Sequence, residues 1–182
     1  DEAAILAEDA YYSWGAGKDR VEGPSIELAK VAARNWGNCA VVMKPAQVTP
    51  MEYIFTAAFV DLETGFTIDR QFRQSRKWTV YGKFDEERKE DIRFQIGQSK
   101  AIRNVILSAM PGWLVTKMLE EAKAGVRAGL EKFIKENGIE AAQDHIVKRL
   151  AKHRVTADRI EAKMGKKVRG WEIEDLIVLR GD

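Results

Sequence analysis

The sequence predicts an α+β fold, in which an antiparallel meander of three to four strands packs on a long helix, with N-terminal helices before it and a small C-terminal helical bundle after it. Three observations carry this prediction. Elements come in runs, helical, then strand-like, then helical again, and such grouping goes with an antiparallel sheet and not with a wound parallel one. The candidate phosphate loop, Gly15-Ala16-Gly17-Lys18, is too short for the nucleotide-binding pattern and follows no strand, so no bound nucleotide is expected. Finally, 182 residues that are 45% hydrophobic and 32% charged are enough for one core with an appendage, and they exclude a disordered or collagen-like chain.

Taken in order, residues 3–13 read as a helix, and Trp14-Gly15-Ala16-Gly17-Lys18 as the loop that ends it. Gly23-Pro24-Ser25 opens a second helix: Ser25 is a favoured N-cap, Leu28, Val31 and Ala32 recur at helical spacing, and Gly37-Asn38 is a stop signal. Strand-like runs follow at 39–43, 53–60 and 66–72, with 78–81 a candidate fourth, and Leu62-Glu63-Thr64-Gly65 has the composition of a hairpin turn. Residues 85–91 form a charged lead-in. From 91 to 110, Phe94, Ile102, Val105, Ile106 and Ala109 mark a helix roughly 30 Å long at about 1.5 Å per residue, ended by Pro111-Gly112. Helical sequence resumes over 113–137, stops at Gly138 and continues over 139–152. Thr156 caps a segment closing at Gly165, and 172–179 is amphipathic, which completes a bundle of three short helices. The expected organisation is a core at 1–137 and a bundle at 138–182, with no internal repeat.

The single cysteine, Cys39, forms no internal disulfide and is expected to pack as a small hydrophobe; His145 and His153 lack the paired spacing of a zinc site. No apolar run approaches the roughly 20 residues that span a bilayer, and Asp1-Glu2-Ala3-Ala4 is no secretory start, so a soluble protein of a reducing cytoplasm is expected, without metal or cofactor. An opening on Asp1 and a close on Leu179-Arg180-Gly181-Asp182 suggest trimmed ends.

Lys and Arg number 30 against 28 Asp and Glu, a net of +2 that gives no warrant for nucleic acid until it is divided. Residues 1–69 carry 5 bases against 11 acids, a net of −6; residues 70–103 carry 10 against 5, a net of +5; residues 144–170 carry 9 against 3, a net of +6. An acidic front followed by two basic blocks fits a polyanionic partner, or subunits that attract one another, as well as ordinary solvated faces.

Two motifs compete for function. Phe59-Val60-Asp61-Leu62-Glu63-Thr64-Gly65 resembles the first motif of DEDD-type exonucleases, whose Asp and Glu, two apart on a strand end, share metal ions, and His153 with Asp158 resembles their last motif. A second motif is missing between them, and Asp61 and Glu63 also read as residues flanking a tight turn. The stronger signal is basic and aromatic. Over 70–78, Arg70, Arg73, Arg76 and Lys77 interleave with Phe72 and Trp78, so that bases at the strand edge reach phosphates while Trp78 stacks on a base. On the long helix, Arg93, Gly97, Lys100 and Asn104 fall on one side, with Gln98 and Arg103 nearby, and mid-helix Gly97 marks the close approach of another backbone or of a nucleic-acid strand. The expected DNA-binding set is therefore Arg70, Arg73, Arg76, Lys77, Trp78, Arg93, Gln98, Lys100, Arg103 and Asn104, with core packing and a solvated edge as the plainer alternative.

A family resemblance joins this reading. Val21-Glu22-Gly23-Pro24-Ser25-Ile26-Glu27-Leu28-Ala29, Ala33-Arg34-Asn35-Trp36-Gly37-Asn38, the strand over 59–65, and Gln98-Ser99-Lys100-Ala101-Ile102-Arg103-Asn104-Val105-Ile106-Leu107 with Met110-Pro111-Gly112 together resemble phage-encoded single-strand annealing proteins of the RecT/Redβ/Erf kind. The likeness spans most of 21–112. It implies an ATP-independent, non-enzymatic recombination and repair protein of a phage-infected or prophage-carrying bacterial cell, which coats single-stranded DNA, anneals it and holds the product in a homo-oligomeric ring or filament. A third reading, compatible with this one, is a helical interaction module in which the basic face of the C-terminal bundle, carrying Lys148, Arg149 and Lys152, holds a partner such as a host single-strand binding protein.

Overall fold

The computed structural model describes residues 10–14, 21–152 and 155–180, and it is α+β with antiparallel sheets, as the sequence predicts. Its contacts group the chain into two compact units, one of Ile26–Val115 and one of the described residues within Asp1–Ser25 and Thr116–Asp182. This division falls inside a helix, whereas the boundary expected at 137/138 coincides with a helix junction at Gly138, where φ is +85°.

In the first unit, α1 (Ile26–Trp36) buries Leu28, Ala29, Val31 and Ala32, and the chain turns at Gly37 (φ +71°) and Asn38 (φ +38°), where a helix needs left-handed backbone to stop. Four strands follow: β3 (Cys39–Met43), β4 (Gln47–Val48), β5 (Glu52–Asp61) and β6 (Thr67–Ser75), numbered after β1 (Tyr11–Trp14) and β2 (Val21–Pro24) of the second unit. Central β5 pairs with β6 on one side and with β3 and β4 in succession on the other. Met43 stands opposite Ala57 and Gln47 opposite Ile54, so three residues, Lys44, Pro45 and Ala46, face two on β5. This bulge has its cause in Pro45, which has no N–H to give to a ladder. The candidate strand at 78–81 does not form. Ser75 turns the chain away from the sheet, its side chain accepting from Lys77 N (3.1 Å) and its carbonyl from Trp78 N (3.3 Å).

Helix α2 (Glu86–Ala109) starts five residues earlier than its apolar pattern suggests. The charged lead-in is its first turns: Asp85 is the N-cap, accepting from Arg88 N at 2.7 Å, and Glu86 and Glu87 suit the positive end of the helix dipole. At 24 residues α2 is about 36 Å long. It packs on β5, β6 and α1, burying the row Arg93, Gly97, Ala101 and Val105. On β5 the alternate residues Tyr53, Phe55, Ala57, Phe59 and Asp61 are buried, and the rings of Tyr53 and Phe55 meet Phe94 edge-on at 5.2 and 5.0 Å.

In the second unit, β1 (Tyr11–Trp14) and β2 (Val21–Pro24) form an antiparallel pair, Tyr11 opposite Pro24 and Trp14 opposite Val21. This corrects the helix expected over 3–13 where it reaches described residues, since the aromatic Tyr11-Tyr12-Ser13-Trp14 favours strand; residues 3–9 and the loop at 15–18 lie outside the described residues. Helices α3 (Gly112–Asn137), α4 (Ile139–Lys152), α5 (Ala157–Met164) and α6 (Ile173–Arg180) follow, with a 3₁₀ turn at Val168–Gly170. Leu130 of α3 joins Ala142, Ile146, Leu150, Ile160, Trp171, Leu176 and Leu179 in one core. Thr156 sits at the N-cap of α5 but makes no side-chain cap bond, while Gly165 ends that helix at φ +67°. Among the described residues no helix is long and apolar enough to cross a membrane.

Candidate nucleic-acid interface

Among the described residues β6 pairs only with β5, which leaves its other edge free beside α2. Period-two alternation turns Ile68, Arg70, Phe72 and Gln74 toward α2, opposite Phe59, Ala57, Phe55 and Tyr53 of the buried row, and turns Asp69, Gln71 and Arg73 to the other face. Lys100, Asn104 and Ser108 follow one another at four-residue spacing along α2 and meet that row. At one end Arg70 Nη1 donates to Ser108 Oγ at 2.6 Å; at the other Lys100 Nζ donates to Gln74 Oε1 at 3.5 Å and stands 5.7 Å from the Phe72 ring centroid and 5.5 Å from that of Trp78. Between them Asn104 Oδ1 accepts from both Nε and Nη2 of Arg103, at 3.3 and 3.2 Å.

The expected DNA-binding cations separate by what holds them. Arg93 is a structural residue: its side chain is 10% exposed, Nε donates to the Trp78 carbonyl at 2.8 Å, and Nη1 lies 3.4 Å from Glu90 and 3.7 Å from Glu86. It belongs to the buried row of α2, together with Gly97, Ala101 and Val105, and this corrects the expectation that Arg93 and Gly97 lie with Lys100 and Asn104 on a basic side opposite the apolar one. Arg76 Nε is 3.3 Å from Glu90 Oε2, Nη1 donates to the Thr49 carbonyl at 3.0 Å, and its guanidinium stands over the Tyr53 ring. Arg73, on the sheet face away from α2, lies 3.8 Å from Glu52. Gln98 falls in the row Phe94, Gln98, Ile102, on the opposite flank of the buried row from Lys100. Lys77 is exposed in the turn after β6. Arg70 and Lys100 are different: among the described residues neither is paired with a carboxylate, and both rest on neutral partners. Desolvation, and then the charge of Arg103, hold the Lys100 amine below its ordinary pKa.

The structure thus gathers Arg70, Trp78, Lys100, Arg103 and Asn104 into one strip and distributes the other five elsewhere. It adds Gln74 and Ser108, which carry no charge and gave no sequence signal beyond lying at strand and helix spacing from residues already singled out.

The carboxylate pair behaves otherwise. Asp61 is buried, Oδ1 accepts from Glu63 N (2.9 Å) and Thr64 N (3.0 Å), and Oδ2 accepts from Trp36 Nε1 (3.2 Å). The Thr64 backbone bond, followed by the Trp36 bond, holds the carboxyl below its usual range. Gly65 (φ +75°) closes the turn. Glu63 is exposed, His153 lies outside the described residues, and Asp158 belongs to α5. Among the described residues no group of three or more His, Cys, Asp and Glu is placed to hold a metal ion. Cys39 Sγ donates to the Ala33 carbonyl at 3.2 Å, and burial, then the charge of Asp61, push its thiol pKa up. In the second basic block Lys166 pairs with Asp175, Lys167 with Glu161 and Arg169 with Asp144, so three of its nine cations are held by carboxylates within the unit.

Comparison of the chain with known protein families, with characterised proteins and with solved structures finds no match.

Proposed function

We propose that the chain binds single-stranded DNA along the strip between the free edge of β6 and α2, and that as a homo-oligomer it anneals that strand to its complement without ATP. The observation that carries the reading is the partnering of Arg70 and Lys100: two cations on one strip, resting on Ser108 and Gln74 with no carboxylate among the described residues to neutralise them, beside the half-exposed ring of Trp78. Cations in that state are what a polyanion recruits, since neutralising phosphates releases their condensed counter-ions. A neighbouring aromatic face supplies sequence-tolerant stacking worth about 1–3 kcal/mol per base. Annealing is downhill, so a protein that neutralises phosphates and leaves bases accessible needs no fuel. The sequence resemblance over 21–112 supports annealing and self-assembly, and the opposite net charges of residues 1–69 and 70–103 supply an attraction between copies.

The exonuclease reading gains nothing from the geometry, because both oxygens of Asp61 already accept hydrogen bonds, Oδ1 from the turn and Oδ2 from Trp36 of α1. The test is a gel shift with a labelled single strand, with and without magnesium, followed by addition of the complement. Metal-independent binding and ATP-free annealing are the expected result. With Arg70→Glu and Lys100→Glu together, binding is lost or its salt slope falls by roughly 0.7 per phosphate contact removed. Magnesium-dependent degradation of the strand, or wild-type binding by the double variant, overturns the proposal.

A further inference from the structure

The segment joining β6 to α2 carries three aromatic side chains at a spacing of three, Trp78, Tyr81 and Phe84, and all three are exposed, by 43%, 88% and 45%. Aromatic rings ordinarily supply buried area, so three in a row on one short loop call for something that covers them. The segment is tethered at both ends. Arg93, itself buried, holds the Trp78 carbonyl at 2.8 Å, and Asp85 is fixed as the N-cap of α2. Between these anchors Gly82 has φ +130°, and the ring of Phe84 lies against it: a Cβ there would stand 2.5 Å from Phe84 Cε2. Only glycine permits that backbone and that seat together.

The charge on the segment narrows what covers it. Residues 76–84 contain Arg76, Lys77 and Lys83 and no acid. Lysine is depleted at the centre of protein–protein interfaces, whereas alternation of rings with cations is how single-stranded nucleic acid is held. The first ring of the series is also the ring beside Lys100, so the segment continues the strip already described. We infer that Trp78, Tyr81 and Phe84 form a base-stacking arm, and that the arm makes the site select single strands over duplex. This inference rests on the proposed binding of single-stranded DNA. Its physical basis is that a base in a duplex has both faces covered by its neighbours, while an unpaired base offers a free face to a ring.

The experiment is fluorescence anisotropy on the full chain at fixed ionic strength with three probes: an oligothymidine, an abasic strand of equal length, and a duplex. Wild type binds oligothymidine more tightly than either other probe. Tyr81→Ala weakens oligothymidine binding by about 5- to 150-fold and leaves abasic binding and the salt slope unchanged. Phe84→Ala acts in the same direction, and Tyr81→Phe, which keeps the ring, retains wild-type affinity. Because Tyr81 is almost wholly exposed, its removal leaves the fold intact. Equal losses on thymidine and abasic strands, no loss on either, or binding to anionic phospholipid vesicles that Tyr81→Ala abolishes, each overturn the arm. Those outcomes leave the single-strand reading standing, whereas failure of wild type to bind any strand removes both.

Discussion

Replacing Gly97 by alanine should destabilise this protein, although the same change in an exposed helix ordinarily stabilises it by about 1 kcal/mol. A Cβ at Gly97 would stand 2.4 Å from Phe55 Cε2, 2.9 Å from Gln74 Cβ and 3.1 Å from Phe55 Cδ2. Phe55 is fully buried, its ring set edge-on against Phe94, and Gln74 is fixed on β6, so neither can yield without moving α2 off the sheet. Overpacking of this kind costs about 1–3 kcal/mol, sometimes more, and a 2.4 Å approach to a confined ring belongs at the upper end. Set against the helix-propensity gain, the net loss is about 2 kcal/mol. Gly129, in mid-α3, is the internal control: among the described residues nothing lies within 4 Å of its would-be Cβ, so Gly129→Ala should gain up to about 1 kcal/mol. The two substitutions are chemically identical and have opposite expected signs. Urea unfolding followed by circular dichroism, with hydrogen exchange to report β5 and α2 amides separately, reads both. A Gly97→Ala protein as stable as wild type refutes the close-packed helix–sheet contact, and with it the width of the strip that carries Arg70 and Lys100.

Two further outcomes follow from the hydrogen-bonded carboxylates. Asp61→Ala strips the acceptor from the turn and from Trp36 and should lower the urea midpoint; Asp61→Asn, which keeps a carbonyl oxygen toward Glu63 N and Thr64 N, should recover most of it, and an alanine variant of unchanged midpoint contradicts the turn-cap role. Glu90 receives the Tyr53 hydroxyl and the Arg76 guanidinium, and the Tyr53 bond first, then Arg76 and Arg93, hold its carboxyl below the ordinary range. A carboxyl depressed on folding contributes stability that is complete above about pH 4.3 and lost as pH falls through the lower folded value. Glu90→Gln should therefore lower stability at pH 7 and flatten its decline as pH falls below about 4.3; an acid limb identical to wild type counts against the Glu90 hub.

How much of this could be read from the sequence depends on how local each cause is. Helix α1 and its stop at Gly37-Asn38, strand β3, and the turn after Asp61 are set by neighbours in the chain, and their positions agree with the sequence reading. The start of α2 was obscured because a capped first turn is polar: Asp85-Glu86-Glu87 carries a dipole signal and no apolar one. Gly97 announced a close approach, but whether β5 and β6 or a ligand made it is tertiary information. The same holds for the cations. Arg70 and Arg76 look alike in sequence, and they differ because a strand end delivers Arg76 to Glu90 while a strand face delivers Arg70 to Ser108. Thr79 and Val80 have the β-branched composition of a strand, yet the turn at Ser75 leads them away from any partner, and this is how the aromatic segment became a loop.

The bulge at Lys44-Pro45-Ala46 limits how copies of this protein can grow together. A sheet propagates into a fibre only if it offers a straight donor–acceptor rail on both flanks. Here β6 offers one of nine residues, whereas the opposite flank is cut into five residues and two, out of step by one and joined through a proline. An incoming strand in register with β3 is out of register with β4, so the sheet is terminated on that flank. Open-ended main-chain stacking of copies is thereby blocked on that flank, and contacts between copies made there fall to side-chain surfaces, which part more readily than a cross-β ladder.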